Sequence, residues 1–433
     1  MNTLIVRFIF LTLIFGSVPA LASGKSEMKL ERVVILSRHG VRAPTKSTAL
    51  MQAVTPYQWP QWDVPLGWLT PRGGQLISEL GKYQRLRLAE KGLQGDKTCP
   101  FAQVAVVADT DQRTRKTGEA FLAGFAPECH IPVHYQQQQT RTDPVFNPIK
   151  AGKCSFNPVK VKEAILNQAG GDIGHYAQRY QPAFQTLEKV LNFSQSEKCK
   201  ATGQNNGCSL TQVLPTKLNA TPDNVSLTGA WGLSSMLTEI FLLQQAQGMP
   251  QVAWGRIAGE KEWGELLSLH NAQFDLLQKT PEVARSKATP LLDLIRTALV
   301  TKGSAENSYG INLPVSLLFI AGHDTNLANI SGALGINWLL PAQPDNTPPG
   351  GELVFERWKR LSDNSDWIQV SFVYQTLQEM REMREMQPLS LENPPGQVDL
   401  KLTACNEKNA QGMCSLASFS ALIESVRVPA CGL

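Results

Sequence analysis

Three times along this chain a short, almost unbroken apolar run stops at ionisable residues. The run at 33–36 leads through Ser37 into Arg38-His39-Gly40-Val41-Arg42-Ala43-Pro44. The run at 104–108 stops at Asp109, and the run at 315–320 leads into Ala321-Gly322-His323-Asp324. Apolar runs of this length without alternation suit strands buried on both faces, as in a parallel sheet covered by helices. In open parallel α/β sheets, ligands bind just beyond the carboxyl ends of the strands, where the strand order reverses. The three polar clusters are therefore expected to share one crevice.

Helical signals surround these runs. Thr70 and Pro71 form an N-cap and first-turn pair, which predicts a helix to about Leu88. Arg113, Arg115 and Lys116 fall in the first turns of a helix that follows Asp109. Cations there oppose the helix dipole and need another reason to be present. From about Cys154 onward helical periodicity takes over. In 226–248, Leu233, Met236, Leu237, Ile240 and Phe241 fall on one face. In 263–278, Trp263, Leu266, Leu267, His270, Phe274 and Leu277 share another. A helix at 290–300, a helix at 326–334 and strands at 353–358 and 367–374 complete the α/β pattern. The fold class is thus α/β, with a mostly parallel central sheet flanked by helices and a smaller all-α domain inserted. The boundaries are 23–153 and 282–433 for the α/β part and 154–281 for the helical insertion. The tandem triplet Glu379-Met380-Arg381-Glu382-Met383-Arg384 reads as a tolerated extension without a chemical role.

Arginines around a histidine suit a phosphate, because the guanidinium fork binds phosphate oxygens in pairs. A neutral histidine is also a competent covalent nucleophile. Arg38, Arg42 and Arg113 should lower the pKa of His39 and keep its ring unprotonated in mild acid. Asp324, facing bound phosphate, should have its pKa raised and donate a proton to the leaving oxygen. The arginines can do what metal ions do elsewhere, and neither a metal nor a cofactor is expected.

Residues 1–22 look like an export signal: Arg7, a short apolar run at 8–15, and the cleavage triplet Ala20-Leu21-Ala22. Its removal deletes Arg7 and no acid, taking the formal charge from +4 to +3. A charge that small gives no reason to expect nucleic-acid or membrane-surface binding. No later stretch is apolar enough to span a bilayer. The eight cysteines behind this signal argue for disulfides in an oxidising compartment. There is no C-x-x-C and no zinc-like histidine spacing. The pairs Cys199 with Cys208 and Cys405 with Cys414 are local; sequence alone does not fix the pairing.

The heptad at 38–44 resembles the signature of the histidine acid phosphatases, branch 2 of the histidine phosphatase superfamily. The match continues through Leu69-Thr70-Pro71-Arg72-Gly73, Ala108-Asp109, Arg113-Thr114-Arg115 and Ala321-Gly322-His323-Asp324-Thr325-Asn326. Within that family the chain most resembles the periplasmic phytases of enterobacteria. The resemblance implies a phosphoglycerate-mutase-like fold, a monomer in the periplasm, and stepwise dephosphorylation of phytate at acid pH. It implies His39 as nucleophile and Asp324 as proton donor. Arg38, Arg42, Thr45, Lys46, Asp109, Arg113, His323 and Thr325 would contact substrate. It also shifts Met236, Glu239 and His270 from core positions towards the cleft. At position 287 it implies arginine, where this chain has Lys287, which keeps the charge but loses the fork. It implies four disulfides: the two local pairs, Cys99 with Cys129, and Cys154 with Cys431. Three other readings compete: a sugar-phosphate phosphatase of the same family, a phosphoglycerate mutase and a non-catalytic phosphate-binding protein. Gly40 and Thr325 favour the phytase over the first. The export signal, the cysteines and the His323-Asp324 pair count against the second. The third leaves His39 and Asp324 without a function.

Overall fold

The computed structural model describes residues 27–432 apart from 94–98, 100–102, 137–141, 204–206 and 384–387. The signal expected at 1–22, and Arg384 of the tandem triplet, lie outside the described residues.

The three apolar runs form β1 (Met28–Arg38), β2 (Val104–Ala108) and, after the short β3 (Val133–His134), β4 (Leu317–Gly322). β5 (Glu352–Arg360), β6 (Asp366–Tyr374), β7 (Gly396–Leu400) and β8 (Cys414–Ser415) follow. One sheet runs in the order β7-β6-β5-β1-β4-β2-β3, with β8 also on β6. The strands β1, β4, β2 and β3 are parallel neighbours, and from β5 outward the pairing is antiparallel. Alternate residues of β1 enter opposite cores. Val34 and Leu36 pack with Leu318 and Ile320, whereas Val33 and Ile35 pack with Leu317 and Phe319. This two-sided burial is why the runs read as continuous, and each such side chain contributes about 1.5–3 kcal/mol.

The helices that matter for the site are α1 (Pro71–Glu90), α2 (Gln112–Phe125), α3 (Ala230–Ala246), α4 (Glu260–Leu277), α5 (Pro281–Val300), α6 (Asp324–Leu334) and α7 (Leu377–Glu382). α1 and α2 cover one sheet face through Ile77, Leu80, Phe121 and Phe125. α5 and α6 cover the other through Leu291, Ile295, Leu327 and Ile330. Helices from Pro158 to Leu277, α3 and α4 among them, surround a third core of Phe184, Trp231, Phe241 and Leu266. Val41 and Leu76 belong to that core too, so it grips the loop after β1. All four disulfides are present: Cys99–Cys129, Cys154–Cys431, Cys199–Cys208 and Cys405–Cys414. Among the described residues no helix is long and apolar enough to cross a membrane.

Three elements differ from the sequence expectation. The helix expected at 226–248 begins only at Ala230, because Val225–Thr228 pairs with Lys217–Ala220 as a hairpin. Gly229, at φ +73°, makes the corner between strand and helix. The helix expected to start at Pro290 starts at Pro281 and carries Pro290 inside it. A proline more often opens a helix than interrupts one, but Thr280-Pro281 already fills that role here. The tandem triplet is more than an extension. Met380 is fully buried in the helical core, and Arg381 Nη1 donates to Gln245 Oε1 and to the Met249 carbonyl, each at 3.1 Å.

Glu352, at the start of β5, is 1 % exposed and accepts from Gln84 Nε2 at 2.6 Å. Burial pushes its carboxyl up to about 7, against the opposing pull of Gln84 and Arg87. A raised carboxyl pKa favours the neutral folded form. The resulting stability is complete below the ordinary value of 4.5 and is lost as pH rises through about 7. The difference is on the order of 3 kcal/mol. Glu352→Gln is therefore expected to raise the thermal midpoint by several degrees at pH 8 and hardly at all at pH 4. Unfolding scans at the two pH values check this, and an equal effect at both would contradict it.

Candidate active site

Register brings the polar strand ends together. Arg38 pairs with Gly322 and Ala108 with Ala321, so His39, His323 and Asp109 emerge side by side. The His39 backbone N–H donates to the Gly322 carbonyl at 2.9 Å, and that of Asp109 to Ala321 at 3.2 Å. The His39 and His323 rings lie edge to face, 5.6 Å apart. Gly40 is needed for room as well as for the turn. A Cβ there would stand 2.8 Å from the Gly73 carbonyl oxygen and 2.9 Å from Ile77, both in α1.

His39 is buried, and its Nδ1 lies 2.9 Å from the Gly40 carbonyl. Only an Nδ1–H can donate there, which leaves Nε2 with its lone pair free for attack. Burial, then Arg113, Arg42 and Arg38, push the His39 pKa well below its ordinary value. The ring stays neutral in mild acid.

Arg38 is fully buried among three acids. Its Nη2 meets Glu239 and lies 3.1 Å from Asp324 Oδ2, and its Nη1 lies 3.2 Å from Asp345 Oδ2. Arg42 Nη2 donates to the same Glu239 oxygen at 2.8 Å. One carboxylate oxygen from α3 thus sits between the two guanidinium groups. The buried Nε–H groups of Arg38, Arg42 and Arg113 find no partner, so the site holds donors beyond what its own acids satisfy. Asp345 carries no signal in the sequence. It sits in a Pro/Gly-rich loop and reaches Arg38 only through space.

Burial alone would raise the Asp324 pKa, but Arg38 and Arg42 override it and hold the carboxyl at about 2. This is opposite in sign to the value expected with phosphate bound. The reason is direct contact with Arg38: a rise requires an anion to take those guanidinium charges.

His323 Nε2 donates to Asp109 Oδ2 at 2.7 Å, and Arg113 Nη2 lies 3.4 Å from His323 Nδ1. Asp109 is 3 % exposed. Its carboxylate is engaged with His323, while the sequence points to a contact with substrate. Arg113 also pairs with Asp111 at 2.7 Å. Asp109, Asp111 and His323 offer ligand atoms within 4.8 Å of one another, a grouping that could hold a metal. His323 and Arg113 already engage those carboxylates.

Beside this cluster opens a cleft of about 600 Å³, lined by Arg42, Lys46, Met236, Glu239, His270 and Asp324 among others. His270, on α4, lies 3.1 Å from Ser235 Oγ through Nδ1, while its buried Nε2 has no partner. Lys46 is exposed at the rim, and Thr45 beside it in the chain is exposed but does not line the cleft. Lys287 and Thr325 instead line a separate cavity of about 360 Å³. Lys287 donates to Gln278 Oε1 at 3.0 Å, and burial pushes its pKa down to about 8. A larger cleft of about 1010 Å³ lies between the start of α1 and α7. It holds no histidine, so the convergence of chemistry, not size, selects the smaller one.

Residues 29–373 match the family model of the histidine phosphatase superfamily (branch 2). The chain is 60% identical to phytase AppA of Escherichia coli over 100% of both sequences. It is 31% identical to a glucose-1-phosphatase of Providencia rettgeri over 93% of each. The solved structure of the phytase from Citrobacter braakii is similar with a TM-score of 0.91 and 72% identity, over 94% of this chain and 99% of that one.

Proposed function

This chain belongs to branch 2 of the histidine phosphatase superfamily, and we propose that within it the enzyme hydrolyses phytate stepwise through a phosphohistidine. The observation that carries this reading is the convergence of a neutral, buried His39 with Arg38, Arg42, Arg113 and Asp324.

The incoming phosphoryl group takes the donors that Glu239 engages, so Glu239 withdraws from between Arg38 and Arg42. Nε2 of His39 attacks phosphorus in line with the leaving oxygen. Arg38, Arg42, Arg113 and His323 hold the equatorial oxygens and carry their charge, which is most of what phosphoryl transfer requires. With its guanidinium partners shared by phosphate, Asp324 rises towards the protonated form that burial favours, and gives its proton to the leaving alkoxide. The carboxylate then takes a proton from water as that water attacks the phosphohistidine. Phosphate leaves and His39 is free again.

Phytate carries several phosphates. Lys46 at the rim and Lys287 in the neighbouring cavity are cations for those that do not react. We read 154–281 as a helical cap where substrate choice is made, set between α/β segments 23–153 and 282–433. Export to the periplasm with removal of 1–22, and action as a monomer, complete the proposal.

Steady-state assays on phytate and glucose 1-phosphate at pH 5, with EDTA present, test it. The expected result is kcat/KM at least about tenfold higher on phytate, with lower inositol phosphates accumulating in order. The reverse preference would make the enzyme a sugar-phosphate phosphatase of the same family.

A further inference from the structure

One turn, 143–147, holds His323 from two directions. Asn147 Nδ2 donates to Asp109 Oδ2 at 3.1 Å, the same oxygen that accepts from His323 Nε2. The Phe146 carbonyl accepts from Asn326 Nδ2 at 2.9 Å, and Asn326 Oδ1 accepts the His323 backbone N–H at 2.9 Å. The turn is itself well anchored. Asp143 Oδ1 accepts the Val145 N–H at 2.8 Å, its Oδ2 accepts the Tyr309 hydroxyl at 2.8 Å, and its carbonyl accepts the Asn147 N–H at 2.9 Å. Burial pushes the Asp143 carboxyl up to about 6.

The state of the His323 ring is decided at Asp109. While Nε2–H points at Asp109, Nδ1 is the atom left facing Arg113. The Asp109 carboxylate is steered by three N–H groups: the Thr110 amide on Oδ1 at 2.7 Å, and His323 and Asn147 on Oδ2. Without the Asn147 amide, Oδ2 loses its second donor and the carboxylate is free to rotate away from the ring. We propose that Asn147 is a positioning residue, acting through Asp109 to keep the His323 Nε2–H on that carboxylate, so that Nδ1, as the second N–H of the imidazolium when phosphate is bound, is aimed at the transferred phosphoryl group. This rests on the reading of His323 as a phosphate ligand. The charged and titratable groups around the spot are Asp109, His323, Arg113, Asp111, Asp143 and Tyr309. Lys150, Lys287 and Asp223 line the cavity that Asn147 shares.

Two variants test it, Asn147→Ala and the isosteric Asn147→Asp. Both are read by nitrogen-15 NMR of labelled histidines on the ligand-free protein, where only six histidines have to be resolved. They are also read by the pH dependence of kcat/KM on p-nitrophenyl phosphate. In the wild type His323 should show one Nε2-protonated tautomer. Asn147→Ala should show a mixture and a kcat/KM about tenfold lower, the scale of an outer-shell partner of a functional histidine. In Asn147→Asp two carboxyl groups share a proton, so the acid form donates as the amide did. That variant should stay within about threefold of wild type near pH 4 and fall about tenfold below it by pH 7, as the shared proton is lost. An unchanged His323 tautomer in Asn147→Ala would overturn the proposal. So would equal losses in both variants at every pH, the signature of a merely structural role. If Asn147→Ala does not fold, Asn147→Asp carries the test alone. The NMR result is independent of substrate, so failure of the functional reading would appear separately, as a wild type that does not turn over phosphomonoesters.

Discussion

His39→Ala is expected to lower kcat on any phosphomonoester by at least about 10⁴, the scale seen when a covalent nucleophile is removed. The loss should fall on kcat and leave phosphate affinity within about threefold. Binding rests on Arg38, Arg42 and Arg113, whose Nε–H groups have no partner in the protein. The alanine also removes a ring that burial keeps neutral, so nothing else nearby can take over covalent attack. Asp324 is held at about 2 and in contact with Arg38, and the His323 ring beside His39 is tied to Asp109. Phosphate titrations together with steady-state kinetics separate the two effects. A variant that kept kcat but lost phosphate binding would make His39 a binding residue.

Asp324→Asn gives the second large effect, and it should depend on the leaving group. An alkoxide such as that of inositol needs a proton in the transition state, and loss of a general acid costs about 10²–10⁴. The nitrophenolate ion leaves without one. The expected pattern is a fall of about 10³ on phytate and of no more than about tenfold on p-nitrophenyl phosphate. Equal losses on both substrates would mean that Asp324 only places charge around Arg38. The pH profile adds a check. The wild type should lose activity on phytate as pH rises past the point where bound-state Asp324 ionises, whereas the asparagine variant, having no such group, should lack that limb.

Much of this arrangement is legible in the sequence because it follows from strand ends. Burial on both faces leaves 33–36, 104–108 and 317–320 no polar residue facing outward. The chain therefore shows where each strand stops, and parallel register does the rest. Thr70-Pro71 marks a helix start for a local reason: the Thr70 hydroxyl accepts the Gly73 N–H at 2.9 Å. What the sequence hides is anything assembled across distance. Asp345 reaches Arg38 from a loop more than 300 residues away, and Asp109 turns from the cleft to His323. Lys287 shares a cavity with Thr325 and not with Lys46. The hairpin before α3 was masked because its apolar residues, Val225 and Leu227, continue smoothly into a helical pattern. The sign of the Asp324 shift was hidden too, since it depends on whether phosphate or carboxylate lies against the guanidinium groups.

Transfer of phosphate to His39 before it reaches water can be observed directly. The direct measurement is to mix enzyme with phosphorus-32-labelled p-nitrophenyl phosphate, quench in alkaline denaturant within milliseconds, and map the label. The expected result is an acid-labile, alkali-stable label on the peptide carrying His39, and none in His39→Ala. Label on any other residue, or equal labelling of the alanine variant, would contradict it.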